Sequence, residues 1–400
     1  MRTAYKVRVY PTSEQAAVLN RTFGCVRLVW NKALAWRHRR YHLDGDTTSY
    51  AQTDRYLTEL KRDGGHDFLY EVSSVPLQQA LRHQYTAFLN FFSGRAKYPR
   101  FKSRHGRQSA TYTRSAFRWK DRRLLLAKMD APVEFVWSWP DIDPTTLNPT
   151  TVTISRDPDG RWYASLTVET SADAEPLSPN GSAVGVDLGI SDFAVLSTGE
   201  KIANPRHLDR KAHNLARYQR RMARKQRDSS NRAKAKAKVA RAHTKVADAR
   251  ADFLHTTSTR LVRDHDLIVI EDLNVSGMVR NRRLARAISA CGWGEFRRQL
   301  EYKTARYGRH LVVINRWYPS SKTCSVCGHL LAELSLSTRH WTCPGCGTRH
   351  DRDVNAAKNI LAAGQAVSAC GADVSHAGPP GVRSAAKQEA QPVRAGIPRL

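Results

Sequence analysis

Two matched cysteine pairs constrain this chain more than any other feature of its 400 residues. Each pair has the spacing CxxC, each is followed directly by glycine, and fifteen residues separate the two pairs. This spacing is typical of a zinc ribbon, in which two short turns bring four thiolates tetrahedrally onto one ion. The predicted ligands are Cys324, Cys327, Cys343 and Cys346. Since four thiolates fill the coordination sphere, we expect the zinc to be structural.

A redox dithiol or a chance pairing of cysteines is the alternative interpretation of the same motif. Neither pair lies in the βαβ context of a thioredoxin-type dithiol, which argues against the redox alternative. Three histidines, His329, His340 and His350, occur close by. We expect them to be neighbours of the zinc site and not ligands, because the thiolates already complete it.

The charge of the chain indicates a polyanionic partner. The sequence has 65 Lys and Arg against 36 Asp and Glu, a formal net charge of +29. Such an excess favours binding of phosphate backbones through counterion release, but it does not distinguish DNA from RNA. The start of the chain has no apolar signal region, and runs such as 267–270 are too short to span a bilayer. Seven cysteines are too few for a disulfide scaffold, so we expect a soluble, cytoplasmic protein without a membrane partner.

The positive charge is densest between Lys201 and Arg250, where 17 Lys or Arg face three Asp. Alanine-rich helical spacing with few apolar residues predicts a pair of long exposed helices there. A merely solvated face is the alternative, but one sign at this density repels itself unless a polyanion is bound. We predict that nucleic acid is contacted by Arg220, Arg221, Arg224 and Lys225.

The first 175 residues combine strand and helix signals. Residues 4–10 alternate apolar and basic side chains as a half-buried strand does, and Thr12 with Gln15 fits a capping box that starts a helix. Helices are predicted around 52–61 and 77–92. A hairpin is predicted with strands 152–155 and 162–168 around the turn DPDG. Together these signals predict a β-barrel with a helical insertion.

Three acidic residues lie at strand ends or near a helix start, where their side chains could bind catalytic metal ions. Asp187 ends a buried-looking strand in SAVGVDLG, Glu271 follows the apolar strand 267–270, and Asp353 lies near the first turn of a helix in HDRDVNAAKNI. Taken singly, each acid is weak evidence, and Asp353 and Glu271 have helix capping or solvation as an alternative role. Together they offer hard oxygen ligands for two Mg²⁺ or Mn²⁺ ions about 4 Å apart, as phosphodiester hydrolysis requires. No nucleophile elbow or Walker-type loop occurs in the sequence.

The order of motifs resembles the TnpB family, transposon-encoded proteins ancestral to the type V CRISPR effectors. The residues that carry the resemblance are GVDLG, IEDLN, GWGEFRRQLEYKTARYG, PSSKTCSVCG and WTCPGCGTRHDRDVNAAKNI, with the opening KVRVYPTSEQAAVLNRTFGCVRLVWNKAL and KYPRFKSR. The likeness is weaker over 103–175 and stops before the tail. It implies an α/β plus β-barrel fold, with a split RuvC or ribonuclease H-like nuclease core, a zinc-ribbon insertion and an N-terminal wedge-type barrel with a helical recognition insert. The implied domains are the wedge barrel at 1–20 and 94–175, the recognition insert at 21–93, the nuclease core at 182–320 and 348–364 with basic helices at 205–260, the zinc ribbon at 321–347, and a disordered tail at 365–400.

The resemblance also implies an activity, an RNA-guided DNA endonuclease of a transposable element that cuts target DNA beside a short motif. Carried over by motif, the catalytic acids are Asp187, Glu271 and Asp353, and not the neighbouring Asp272 or Asp351. The implied partners are a guide RNA, with one protein chain per RNA, and a double-stranded target that is read by base pairing in the prokaryotic nucleoid. The residues expected to read the flanking motif are Tyr50, Ser74 and Gln78.

Two rival functions remain as alternatives, and one pair of aromatic residues has two alternative roles. A DNA transposase or recombinase would use a similar acidic triad, but it would join strands. A guide-directed DNA-binding repressor would lack cleavage, and it would require a missing acid, whereas all three are present. Trp317 and Tyr318 either stack on unpaired bases or pack into the core.

Overall fold

The computed structural model describes residues 2–139, 142–169, 176–335 and 337–369. These residues form two compact units, the first ending at residue 169 and the second starting at residue 176. Each unit has its own hydrophobic core. The elements of the first unit are β1 (Arg2–Tyr10), α1 (Ser13–Asp44), α2 (Tyr50–Arg62), α3 (Ser74–Phe92), β2 (Gln108–Thr113), β3 (Phe117–Lys120), β4 (Arg123–Leu126), β5 (Glu134–Val136), β6 (Pro149–Arg156) and β7 (Trp162–Glu169).

Helix α1 starts at the predicted capping box. The Thr12 hydroxyl accepts the backbone N–H of Gln15 at 3.2 Å, and the Gln15 side chain accepts the backbone N–H of Thr12 at 3.1 Å. The helix then continues without interruption to Asp44. The predicted boundary between residues 20 and 21 falls inside α1, whose Leu19 and Phe23 enter the same core as the sheet, and it stays a prediction.

The sheet of the first unit has the strand order β2-β6-β7-β1-β5, with every neighbouring pair antiparallel. The predicted hairpin is confirmed as β6 and β7. Closure into a barrel would need β2 to pair with β5, and no such pairing occurs among the described strands. Instead, β3 pairs with β4, and a single bridge between Leu124 and Val133 leads from β4 towards β5. The described sheet is therefore open.

The second unit is built on a mixed five-stranded sheet of order β10-β9-β8-β11-β12. Strands β8, β11 and β12 run parallel, whereas β8, β9 and β10 are antiparallel neighbours. The elements of this unit are β8 (Ala183–Leu188), β9 (Asp192–Leu196), β10 (Lys201–Ala203), α4 (His207–Ala223), α5 (Ser230–Asp264), β11 (Leu267–Glu271), α6 (Val275–Met278), α7 (Ala285–Cys291), α8 (Trp293–Tyr307), β12 (His310–Ile314), β13 (His340–Thr342), β14 (Arg349–Asp351) and α9 (Arg352–Ala369).

The predicted pair of basic helices is confirmed as α4 and α5, which pack against each other. The cysteine pairs lie on either side of β13, and β13 pairs with β14. Strand β14 lies beyond residue 347, where the ribbon was predicted to end. That boundary is too early, because the hairpin needs its second strand.

Helix α9 lies directly on the sheet because glycine occupies two of the contact points. A Cβ atom at Gly185 of β8 would come within 2.1 Å of the Ala357 carbonyl oxygen, and one at Gly364 of α9 would come within 2.4 Å of the Val269 side chain. The Gly364 contact holds the end of the helix, which continues to Ala369. The predicted start of the tail at residue 365 is therefore too early. The rest of the predicted disordered tail, 370–400, lies outside the described residues.

Replacing Gly185 by alanine should displace α9 and destabilise the second unit. The added methyl group meets backbone atoms of α9, which cannot rotate away as a side chain can, so we expect a loss of at least about 3 kcal/mol. Gly294→Ala is the matched control, because this helical position has no atom within 4 Å and should be neutral or slightly stabilising. Urea unfolding followed by tryptophan fluorescence measures both variants. Equal stability of the two variants would show that α9 is not seated on Gly185.

Candidate active site and metal centre

Two parallel strands bring Asp187 and Glu271 side by side. Val186 of β8 is in register with Ile270 of β11, and each acid is the next residue along its strand. Side chains at the same register of neighbouring parallel strands share one face, and such strands lie about 4.8 Å apart. The two carboxylates therefore occupy adjacent positions at the carboxyl edge of the sheet.

Helix α9 adds Asp353 on the same face. Gly185, which contacts α9, is two residues before Asp187, so both point to the side of the sheet that α9 covers. The Asp351 carboxylate caps the helix by accepting the backbone N–H groups of Asp353 and Val354 at 3.0 and 3.1 Å. This cap places Asp353 in the first turn, close enough for its charge to act on Asp187.

The electrostatics of Asp187 are those of a crowded acidic site. Burial, together with the charges of Glu271 and Asp353, raises the pKa of Asp187 to about 7, and the charge of Arg352 opposes this rise. Burial also raises the pKa of Glu271, whereas a 2.6 Å hydrogen bond from the Ser320 hydroxyl lowers it. Negative charges that are held together against their own repulsion favour a bound cation, and carboxylate oxygens suit Mg²⁺ or Mn²⁺. The donor set therefore fits a divalent metal.

The three carboxylates are gathered more loosely than the cysteines. Among the described residues, the four cysteines are the only set of three or more metal-binding side chains whose ligand atoms all lie within 4.8 Å of one another. Asp353 is held by Arg339 at 3.2 Å, and Arg352 lies 3.9 Å away. For the three carboxylates to approach one another around a metal ion, Asp353 has to exchange its contacts with these arginines for contacts with the ion.

The two neighbouring acids are engaged elsewhere. Besides capping α9, Asp351 accepts a 2.7 Å ion pair from Lys201. Asp272 is paired with Arg297 at 2.5 Å and with Arg316. Both are therefore poor candidates for binding a catalytic metal.

The raised pKa of Asp187 predicts that stability without catalytic metal falls with increasing pH. Between pH 3.8 and about 7 the folded protein keeps a proton that the unfolded chain releases. This contribution is fully present below pH 3.8 and is lost as the pH rises through 7, a change of about 4 kcal/mol. Asp187→Asn removes this dependence, so urea unfolding at about pH 4 and about pH 8 should show the variant gaining on the wild type at the higher pH. Added Mg²⁺ should stabilise only the wild type at about pH 8, and an identical pH dependence of the two proteins would contradict the prediction.

The four cysteines form two equivalent turns. In each turn the glycine after the second cysteine, Gly328 or Gly347, has a positive φ of about 75° and donates its backbone N–H to the first cysteine's carbonyl at 2.9 Å. The Sγ atoms of Cys324 and Cys346 lie 3.7 Å apart, and those of Cys327 and Cys343 lie 3.6 Å apart. This four-cysteine cluster could bind one zinc ion.

One of the three nearby histidines touches the cluster. The Nε2 atom of buried His350 lies 3.1 Å from the Cys324 sulfur, and its ring packs against Trp341 with centroids 4.7 Å apart. Burial lowers the pKa of His350, which favours a neutral ring beside the cluster.

Comparison with known proteins identifies the family. Residues 165–282 match a family model described as "Probable transposase", OrfB_IS605, residues 293–360 match a Cas12f1-like TNB domain, and residues 1–46 match a helix-turn-helix domain. A protein of Streptomyces pristinaespiralis named as an RNA-guided DNA endonuclease is 54% identical over 407 residues, which cover 100% of this chain and 99% of the relative. The chain belongs to the TnpB family. InsQ of Escherichia coli K12, which carries the same functional name, is 34% identical over 92% of this chain and 94% of its own.

Solved structures share the TnpB-like fold. A Cas12f1 complex with single guide RNA and target DNA superposes with a TM-score of 0.56 at 13% identity, covering 88% of this chain and 83% of its own. The RNA-guided endonuclease Cas_phi3 gives 0.51 at 9% identity over 90% and 92%. The helix-turn-helix description of residues 1–46 does not fit this TnpB-family chain, because β1 and the single helix α1 occupy them.

The predicted nucleic-acid contacts of this TnpB-family protein fall in two places. Arg220, Arg221, Arg224 and Lys225 are exposed where α4 ends. Ser74 and Gln78 lie one turn apart on α3 of the first unit. Tyr50 reaches the same helix, since its hydroxyl accepts Arg82 Nε at 3.2 Å. No described helix is both long and apolar enough to cross a membrane.

Sequence reasoning missed the residues that hold the acids in place. The side-chain amides of Asn355 and Asn359, one turn apart on α9, donate to the Thr323 carbonyl at 2.7 and 2.6 Å. Asn359 also donates to the Ser320 carbonyl at 2.7 Å, and the Ser320 hydroxyl binds Glu271. We call Ser320, Thr323, Asn355 and Asn359 the asparagine clamp. The sequence signal for this clamp was the pair of asparagines in VNAAKN, which lie on the buried face of a helix.

The two aromatic residues after β12 lie in different environments. Tyr318 packs against Val269, Val312 and Ile314 in the core, so the packing interpretation is confirmed for it. Trp317 has 84% of its surface exposed, and packing is wrong for this residue.

Proposed function

We propose that this protein is an RNA-guided DNA endonuclease encoded by a transposable element, and that it hydrolyses target DNA beside a short motif. The observation that carries the proposal is the carboxyl edge of the mixed sheet, where burial, Glu271 and Asp353 raise the pKa of Asp187 to about 7. Membership of a family whose relatives are named RNA-guided DNA endonucleases supplies the guide and the substrate. The protein would therefore act as a metal-dependent, RuvC-like hydrolase.

Asp187, Glu271 and Asp353 would hold two Mg²⁺ or Mn²⁺ ions in this proposal. When bound, such ions activate water and stabilise the leaving oxygen of a phosphodiester. The carboxylates bind in their deprotonated form, so Asp187 must release the proton that its raised pKa favours. Ser320 fixes one oxygen of Glu271 by its hydrogen bond, and Arg339 releases Asp353 towards the other acids.

The finer architecture belongs to the same proposal. The strand order with β8 in the centre, three parallel strands and an antiparallel edge supports a ribonuclease H-like core, split in sequence by the basic helices and by the cysteine ribbon. The ribbon would hold a structural Zn²⁺. The first unit would be the wedge domain with α2 and α3 as its recognition insert, even though its described sheet is open.

The remaining predicted residues would bind nucleic acid. Exposed cations at the end of α4 suit the phosphates of guide RNA or target DNA, while Tyr50, Ser74 and Gln78 would read the flanking motif. One chain would act with one RNA, in the cytoplasm of a prokaryote and on its nucleoid.

The deciding experiment purifies the full chain from a host that carries its transposable element, sequences the bound RNA, and offers DNA that matches the variable end of that RNA. We expect Mg²⁺-dependent cutting that requires both the match and a flanking motif. A protein that carries no RNA and cuts without any would refute guidance. Joined strands would favour the transposase that one family description names, and binding without cutting would favour a repressor.

A further inference from the structure

Trp317 differs from every other tryptophan of the chain in its exposure. The chain has nine tryptophans, and the other eight are buried or partly buried. Trp317 has 84% of its surface in contact with solvent, on the loop that follows β12. Tyr318, the next residue, packs into the core, so the loop keeps contact with the core although Trp317 does not. Because tryptophan is enriched at binding interfaces, this exposed ring is a candidate contact for a partner.

The loop presents the Trp317 ring from a fixed backbone. The Asn315 carbonyl accepts the backbone N–H of Tyr318 at 3.1 Å, which closes a turn with Arg316 and Trp317 at its tip. The Asn315 side chain accepts the backbone N–H of Trp317 at 2.9 Å, which closes the same turn a second time. A ring on such a turn loses little backbone freedom when it binds a partner.

Contacts on both sides of Trp317 tie the turn to the acidic site. Before it, Arg316 is ion-paired with Asp272, the residue after Glu271. After it, the Ser320 hydroxyl donates to Glu271 at 2.6 Å. The backbone N–H of Asp272 also donates to the Ile314 carbonyl at 3.0 Å. Three contacts therefore anchor the turn to the strand end that carries a predicted metal-binding acid.

We propose that Trp317 stacks on a base of the single-stranded DNA whose phosphodiester enters the acidic site, and so positions that strand. This proposal rests on the proposed function. A nucleotide of single-stranded DNA is a partner that suits an apolar ring in a chain of net charge +29, because its base stacks on the ring while its phosphate meets cations. Stacking accepts every base, as a nuclease that takes its sequence from a guide requires.

The test measures binding of short single-stranded DNA to the full chain with its co-purified RNA, without added Mg²⁺. An abasic site is moved one position at a time along the oligonucleotide, against wild type, Trp317→Ala and Trp317→Phe. We expect Trp317→Ala to weaken binding about tenfold, and one abasic position to weaken the wild type by a similar factor. Combining the two changes should cost no more than either alone, and Trp317→Phe should stay within about threefold of the wild type.

The matched control is Val326→Ala, which trims another exposed apolar side chain, at 65% exposure, in the neighbouring ribbon. It should bind DNA as the wild type does. The stacking proposal would be overturned if Trp317→Ala bound DNA as the wild type does, or if the two losses of affinity multiplied when combined. It would also be overturned if Val326→Ala lost as much affinity, or if only RNA oligonucleotides were bound more weakly.

The failure of stacking and the failure of the endonuclease proposal are distinguishable. If the wild type cuts matched DNA while Trp317→Ala binds and cuts equally well, stacking is wrong and the endonuclease stands. If the wild type does not cut but the abasic and Trp317→Ala losses coincide, the stacking site stands and the endonuclease proposal falls.

Discussion

The Asp187→Asn variant should retain its RNA and bind matched DNA while cutting it at least about 1,000-fold more slowly. Asp187 lies on the central strand of its sheet and is the acid on which the charges of Glu271 and Asp353 act. Asparagine keeps the size of the side chain but removes the charge that holds a divalent ion. Losing several kcal/mol of transition-state stabilisation corresponds to a rate loss of this order. Cleavage of a matched plasmid in excess Mg²⁺, followed over time, measures it.

Asp272→Asn is the matched control for this experiment. It makes the same chemical change next to Glu271, but its carboxylate serves Arg297 and Arg316 and not the predicted metals. We expect it to cut within about tenfold of the wild-type rate. If Asp187→Asn cuts as fast as Asp272→Asn, the carboxyl edge of this sheet is not the place of hydrolysis.

Features set by neighbouring residues could be predicted from the sequence. The capping box at Thr12 needs only two residues three positions apart, and the cysteine turns need only CxxC followed by glycine. The strands that carry Asp187 and Glu271 near their carboxyl ends could also be predicted, since an apolar run followed by an acid is visible in one segment. The catalytic role of these acids stays a prediction.

Features set by contacts between distant segments could not be predicted. Whether β2 meets β5 depends on the path of the chain between them, and hydrophobic alternation carries no information about it. The close seating of α9 on the sheet depends on Gly364 meeting Val269, a strand residue more than ninety positions earlier. The opposite environments of Trp317 and Tyr318 follow from a turn closed by Asn315, which composition does not reveal.

Loss of zinc should strongly slow cleavage, although the predicted zinc ligands are the four cysteines and not the three acids. The asparagine clamp joins the segment that enters the ribbon to α9, and Ser320 within it binds Glu271. Asp353 lies in the first turn of α9, directly after β14 of the ribbon hairpin. Zinc contributes roughly 10 kcal/mol or more to folding of such a site, so Cys343→Ser should release both ends of this connection. We expect about one zinc per wild-type chain by elemental analysis, none in the variant, and a cleavage loss of at least about 100-fold.

Two further variants separate zinc binding from the connection itself. Cys25→Ala removes a buried thiol from α1 of the first unit and should keep both zinc and activity. Asn359→Ala leaves all four cysteines in place but removes one of the two asparagine donors to the Ser320 and Thr323 carbonyls, so it should keep its zinc and lose about tenfold in cleavage rate. A zinc-free Cys343→Ser protein that cuts normally would show that the ribbon does not support the acids. Full activity in Asn359→Ala would show that the support of the acids does not depend on Asn359.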